Sequence, residues 1–253
     1  MKLNANMVNV VLLLLIIVVF GEIVYIYETR HKIFHKLSLK KPKIKSSVIH
    51  SEFANSLLEG GYILHFRHAE RDKWIDVQVY DALETDVHDN GINSTRYAEK
   101  DYFKNAVCLN TRGEIQARAM GESIQNIGLP IGFVISSPSC RSRQTAEAVF
   151  GGYDKLDRTL VHRGPYNETL ENHVGSLKKL YLDLPVEKGF NTIISGHNST
   201  VHQSMFDSIA PHIELPLELE EGGFYVIKKV NDKLILEHEF HRFLNFSSVF
   251  HPR

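Results

Sequence analysis

The pattern of apolar and polar positions divides the chain into three stretches. From Met7 to Tyr27 the sequence MVNVVLLLLIIVVFGEIVYIY is apolar nearly all round, close to the roughly 20 residues that a helix needs to cross a bilayer. A cleaved signal peptide would carry a shorter apolar centre, about 7 to 15 residues, followed by a small-residue cleavage site. Glu28-Thr29-Arg30-His31-Lys32 follows instead. A retained transmembrane anchor is therefore expected over residues 1–28, with Glu22 near the helix end where it reaches the interface. Residues 29–50 read as a basic linker. From residue 51 to 253 short apolar runs alternate with helical periods, the pattern of an α/β domain.

Within that domain Tyr62 to Phe66, Phe133 to Ser136 and Thr192 to Ser195 read as short buried strands, each ending on polar residues. Between the first two, TRGEIQARAMGESIQNIG predicts a helix, with Thr111 and Glu114 as a capping box and Gly128 at its stop. A second helix is expected from about Ser139 to Gly151-Gly152, a third from about Glu168 to Leu182, and a fourth after His197. FYVIKKVNDKLILEHEF reads as two strands joined at Asn231-Asp232. The stretch from Trp74 to Asn110 has no clear period and is rich in aromatic and acidic residues. Long insertions of that kind tend to be lids or binding loops, so it is expected to set substrate choice.

Charge adds a topological expectation. Lys2 alone precedes the apolar span, whereas Arg30, Lys32, Lys36, Lys40, Lys41, Lys43 and Lys45 follow it. The positive-inside rule then puts the body in the cytoplasm, with an extracytoplasmic body as the alternative. Beyond residue 45 the chain holds 21 Lys+Arg against 28 Asp+Glu. An acidic body of this kind excludes nucleic acid as a partner, since its phosphates need a basic footprint. Cys108 and Cys140 are the only cysteines, and their spacing indicates neither a disulfide framework nor a cysteine zinc site.

The strand ends carry the chemistry. Ligands of open α/β sheets bind beyond the carboxyl ends of the strands. Arg67 and His68 end the first strand, SSPSCRSRQTA follows the second and SGHNST the third, so Arg67, His68, Arg141 and His197 are expected in one pocket. Guanidinium forks match phosphate oxygens, and a neutral imidazole can act as a nucleophile. A helix beginning near Ser139 adds N–H groups for an anion.

The motifs RHAER, SSPSCRSRQTA and SGHNST, in this order and separated by the helix TRGEIQARAMGESI, resemble the histidine phosphatase, or phosphoglycerate mutase-like, superfamily over about Gly60 to Met205. The resemblance implies a three-layer α/β/α sandwich and a phosphomonoester phosphatase, with His68 as the nucleophile that becomes phosphohistidine. Arg67, Arg141 and His197 would bind the phosphoryl group. It implies no metal and no organic cofactor, and a small-molecule or glycan phosphomonoester as substrate. The anchored layout, the Ala after the Arg-His pair and the Asn after the second histidine are similar to bacterial lipopolysaccharide core heptose-phosphate phosphatases, which would put the body outside the cytoplasm.

Ala69 stands where the family has Gly, and Asn198 where some members have an acid. The proton donor is therefore expected elsewhere, at Glu168 in HRGPYNETLEN, with Glu171, Glu84 or Asp86 as alternatives. Arg71 either holds substrate phosphate or pairs with Asp72 or Glu70. Arg143 and Gln144 are expected at the helix surface, and His65 inside its strand. The competing readings are a mutase, an inactive module that recognises phosphorylated partners, and a metal site built from His65, His68, His197 and His202. The sequons at Asn93, Asn167, Asn198 and Asn245 are read as chance, because Asn198 borders the pocket.

Overall fold

The computed structural model describes residues 43–73, 105–161, 169–215 and 217–250, with side chains from residue 50 onward. The apolar run expected as an anchor lies outside these residues. So does most of the Trp74 to Asn110 insertion. Among the described residues no helix is long and apolar enough to cross a membrane.

The elements are α1 (Lys43–Ser56), β1 (Ile63–Arg67), α2 (Thr111–Ile127), β2 (Ile131–Ser136), α3 (Cys140–Phe150), β3 (Lys155–Leu156), α4 (Leu170–Asp183), β4 (Asn191–Gly196), β5 (Ser208–Ile209), β6 (Phe224–Val230), β7 (Lys233–Phe240) and α5 (Phe243–Phe250). The seven strands form one sheet in the order β3-β2-β4-β1-β6-β7-β5. β3, β2, β4 and β1 run parallel; β6 is antiparallel to β1, and β7 to β6. The mixed sheet thus presents the carboxyl ends of β2, β4 and β1 side by side, with β4 in the middle.

Alternation along β1 sends its side chains to opposite faces. Leu64 and Phe66 pack with Ala117, Met120 and Ile124 of α2, Ala146 and Val149 of α3 and Phe246 of α5. Ile63 packs on the other side with Val174, Leu177 and Tyr181 of α4. The result is a sheet covered by helices on both faces, the three-layer arrangement expected.

Local chemistry explains the helix ends. The Asn110 side chain accepts from the Gly113 N–H, and Gly128 closes α2 in the left-handed conformation at φ 74°. The cap is therefore Asn110, one residue before the expected Thr111, because an Asx oxygen at that place satisfies the free N–H group as well as a hydroxyl does. α3 starts after Ser139 and ends before Gly151, as expected. Two further expectations are corrected. After His197 the chain makes two 3-10 turns, Asn198–Thr200 and Gln203–Met205, rather than an α-helix. Cys108 and Cys140 are joined as a disulfide, since the sheet brings the end of the insertion onto the start of α3, a juxtaposition that spacing along the chain does not reveal. The turn between β6 and β7 falls at Asn231-Asp232, with Asn231 at φ 53°.

Candidate active site

The strand ends converge as the sequence implied, and the sheet order decides how. His68 leaves β1, the loop to Arg141 leaves β2, and His197 leaves β4 between them. The His68 and His197 rings stand with centroids 5.4 Å apart, and Arg141 Nη2 lies 3.3 Å from His197 Nδ1. An arginine carries only donors, so His197 Nδ1 accepts. Its Nε2–H then faces Ser137 Oγ at 3.1 Å and Ser139 Oγ at 3.3 Å.

His68 is fixed by backbone. Its N–H donates to Gly196 O at 3.1 Å, and its Nδ1 lies 2.7 Å from Ala69 O. A carbonyl only accepts, so Nδ1 carries the proton and Nε2 keeps the lone pair. Nε2 makes no hydrogen bond among the described residues. Burial, then the positive charge of Arg141 and, more weakly, of Arg67 and Arg71, holds the His68 pKa well below the ordinary histidine value; the bond to Ala69 O opposes this. The ring is therefore neutral at neutral pH, with Nε2 unprotonated.

Arg141 is fully buried, with Nη1 3.4 Å from Val107 O. Its backbone carbonyl accepts from Thr145 Oγ1, which in turn accepts from the Ala69 N–H at 3.0 Å. One threonine thus ties the exit of β1 to the first turn of α3. Arg67 is held differently. Its Nη1 donates to Leu219 O, and its Nη2 to Glu221 Oε1 at 2.7 Å. Arg67, Arg71, Lys73, Glu218, Glu220, Glu221 and His241 line a cavity of about 560 Å³ beside this loop. Arg71 donates to Asp72 O at 2.7 Å, while Glu70 pairs with Arg112.

A model of the histidine phosphatase superfamily (branch 1) matches residues 95–160, which span α2, β2, the Arg141 motif and α3. That match, over about a quarter of the chain, supports a likeness to the histidine phosphatase superfamily. Solved structures similar to this chain include the protein histidine phosphatase SixA complexed with tungstate, at 15% identity over 71% of this chain and 96% of that one, with a TM-score of 0.45. Another is phosphoserine phosphatase from Entamoeba histolytica in complex with 3-phosphoglyceric acid, at 14% identity over 70% of this chain and 95% of that one, TM-score 0.43. The ecdysone phosphate phosphatase from Bombix mori in complex with tungstate is similar at 17% identity over 66% of this chain and 89% of that one, TM-score 0.38. No curated protein sequence matches significantly. The superfamily likeness rests on the family match and the motifs, and the narrower heptose-phosphate likeness finds no support in these matches.

Several sequence readings of the site change. Arg143 is buried rather than superficial, its Nε donating to Pro138 O at 2.9 Å, and Gln144 accepts from the Leu109 N–H at 2.8 Å. Arg143 thus braces the loop that leads into α3, and Gln144 ties α3 to residue 109. Asn198 cannot be an acid, and its Nδ2 donates to Leu219 O at 2.9 Å. Glu168 lies outside the described residues, as do Glu84 and Asp86; Glu171 sits exposed in the first turn of α4, beside an apolar hollow with Val174 and His202. His65 is a buried strut, as expected, with Nδ1 against Tyr181 Oη and Nε2 3.2 Å from His197 O. Those bonds occupy both ring nitrogens, which removes His65 from the metal reading, and no group of three or more metal-binding side chains occurs among the described residues. Sequence reasoning missed Glu221 and the serines 137 and 139. The acids of LELEEGG were the available signal for Glu221, but nothing along the chain connects them to Arg67.

Proposed function

We propose that this chain is a membrane-tethered phosphatase that hydrolyses a phosphomonoester by double displacement through a phosphohistidine on His68. The single observation that carries the reading is the Nδ1–H bond to Ala69 O in a buried, arginine-flanked site. It leaves a neutral imidazole whose Nε2 is directed by its partner nitrogen, which is what an in-line attack on phosphorus needs.

In the first step the Nε2 lone pair forms the N–P bond while the P–O bond to the leaving group breaks. Positive charge passes to the imidazole, where Ala69 O stabilises the Nδ1–H. Arg141, Arg67 and the Nε2–H face of His197 with its serines receive the charge on the phosphoryl oxygens. Arg71 extends the cationic rim toward the rest of the substrate. An aliphatic leaving oxygen needs a proton as it departs, and Glu168 is the assigned donor. In the second step water attacks phosphorus, the N–P bond breaks, and inorganic phosphate leaves with the ring again neutral. A mutase differs only in the acceptor of the second step. The apolar span of residues 7–27 supplies the tether.

The reading is tested on the full chain in detergent. Brief incubation with a ³²P-labelled phosphomonoester and an alkaline quench should trap acid-labile phosphate on the protein, and His68→Ala should carry none. Label that persists in His68→Ala would remove His68 as the nucleophile.

A further inference from the structure

We propose that the Cys108–Cys140 disulfide is a positioning device for Arg141, so that the anion affinity of the pocket depends on its oxidation state. The proposal rests on the phosphatase reading above. The two half-cystines flank the groups in question. Cys140 is the first residue of α3 and Arg141 the second; Cys108 directly follows Val107, whose carbonyl accepts from Arg141 Nη1. One residue further on, the Leu109 N–H is held by Gln144 of the same helix. Residues 107–109 therefore lie along the first turn of α3 and form a wall beside the guanidinium.

That wall is anchored at its far end, where Leu109 packs in the large cluster with α2 and α3 and the Asn110 N–H donates to Glu70 O at 3.3 Å. Ala106, Val107, Cys108 and Cys140 make an apolar cluster of their own, separate from the two large clusters on the faces of the sheet. Both half-cystines are buried, at 1% and 0% exposure, so they contribute to the interior of the site rather than to its surface. Arg141, fully buried, has its place set by the start of α3 at one end and by Val107 O and His197 Nδ1 at the other. Two thiols cannot stay at bonding distance, so reduction moves residues 107 and 108 and the helix start apart by about 1 Å or more, while the Leu109 N–H stays on Gln144. The guanidinium then loses its carbonyl rest and its fixed fork, on which bidentate phosphate binding depends.

The redox step is ordinary thiol–disulfide exchange. A thiolate of an added dithiol, such as dithiothreitol, attacks one of the two sulfurs; the S–S bond breaks, and the second thiol of the reagent closes on the first. Cys108 and Cys140 are left as thiols, having gained two electrons and two protons, and the reagent as a cyclic disulfide.

The test uses the full chain in detergent and inorganic phosphate as the probe, so that binding is read without turnover. Oxidised protein should bind phosphate with a Kd lower by on the order of 10-fold than protein reduced with dithiothreitol, the scale of loss that small misplacement of a binding group brings. In Arg141→Lys, whose ammonium needs no fixed fork, that redox difference should largely vanish. Should the reduced protein unfold, Cys108→Ala/Cys140→Ala carries the same comparison, with insensitivity to dithiol as its control. Equal Kd values in the two redox states overturn the proposal. So does a redox difference that survives intact in Arg141→Lys, since the disulfide would then act through the fold at large. Absence of phosphomonoester turnover by the wild-type chain, with the redox dependence of phosphate binding retained, would sink the phosphatase reading and leave the lock standing.

Discussion

Gly113→Ala is the sharpest perturbation the packing offers. Gly113 sits in the first turn of α2 and is buried against the backbone of Glu70, two residues after His68. A Cβ there would stand 2.8 Å from the carbonyl carbon of Glu70 and closer still to its oxygen. Carbon atoms pack at roughly 3.5–4.0 Å, so helix and loop must separate by about 1 Å. Neither side yields easily, because Glu70 N donates to Gln116 at 2.9 Å, Glu70 O accepts from Asn110 N, and the Glu70 carboxylate pairs with Arg112. Overpacking of this kind costs about 1–3 kcal/mol, or roughly 3–10 °C in Tm for a body of this size. The larger effect should fall on function, because the displaced loop includes Ala69 O, which orients the His68 ring; a shift of about 1 Å lowers kcat/KM by up to about 100-fold. Gly175→Ala is the matched control. It lies within α4 with nothing within 4 Å of its added Cβ, so it should gain about 0.5–1 kcal/mol from helix propensity alone. Thermal melts and kcat/KM on an aryl phosphate would be compared across the three proteins. If Gly113→Ala matches Gly175→Ala in both, the contact between α2 and the nucleophile loop does not matter as argued.

Three further outcomes follow from the structure. Burial pushes the His65 pKa down to about 4, and burial with the neighbouring His50 and His212 pushes that of His238 to about 3; because both are depressed below the unfolded value near 6.5, their stabilisation is complete above that pH and is lost as pH falls toward the folded values. By pH 5 each should have cost roughly 2 kcal/mol, and a Tm unchanged between pH 7.5 and 5 would refute this. Glu221→Ala should raise KM by about 5- to 10-fold by releasing Arg67 from its partly buried anchor, while Glu221→Gln, which keeps an acceptor, should stay near wild type; equal effects of the two would mean that Glu221 does not position Arg67. Finally, the cationic run and the disulfide indicate opposite sides of the membrane. A charge bias only weights insertion, whereas a buried cystine needs an oxidant while the chain folds, so alkaline phosphatase fused after Arg253 is expected to be active outside the cytoplasm. An inactive fusion with Cys108 and Cys140 recovered as thiols would restore the cytoplasmic placement.

Local patterning determined much of this protein. The apolar runs before Arg67, Ser137 and His197 are dictated by burial in a covered sheet, and helix stops such as Gly128 and Gly151 by the left-handed conformation that glycine adopts freely. The strand-end placement of His68, Arg141 and His197 followed from those runs. Other features exist only in the tertiary structure because they join residues far apart in sequence. β4 inserts between β2 and β1, which sets the His197 ring beside the His68 ring. The same sheet carries Glu221 to Arg67 across a separation of 154 residues, Tyr181 to His65 across 116, and Cys140 to Cys108 across 32. No period or motif encodes such pairs, since each is fixed by the order of strands and the faces of helices. The short range of hydrogen bonds and disulfides means that they form only once that order has brought their ends together.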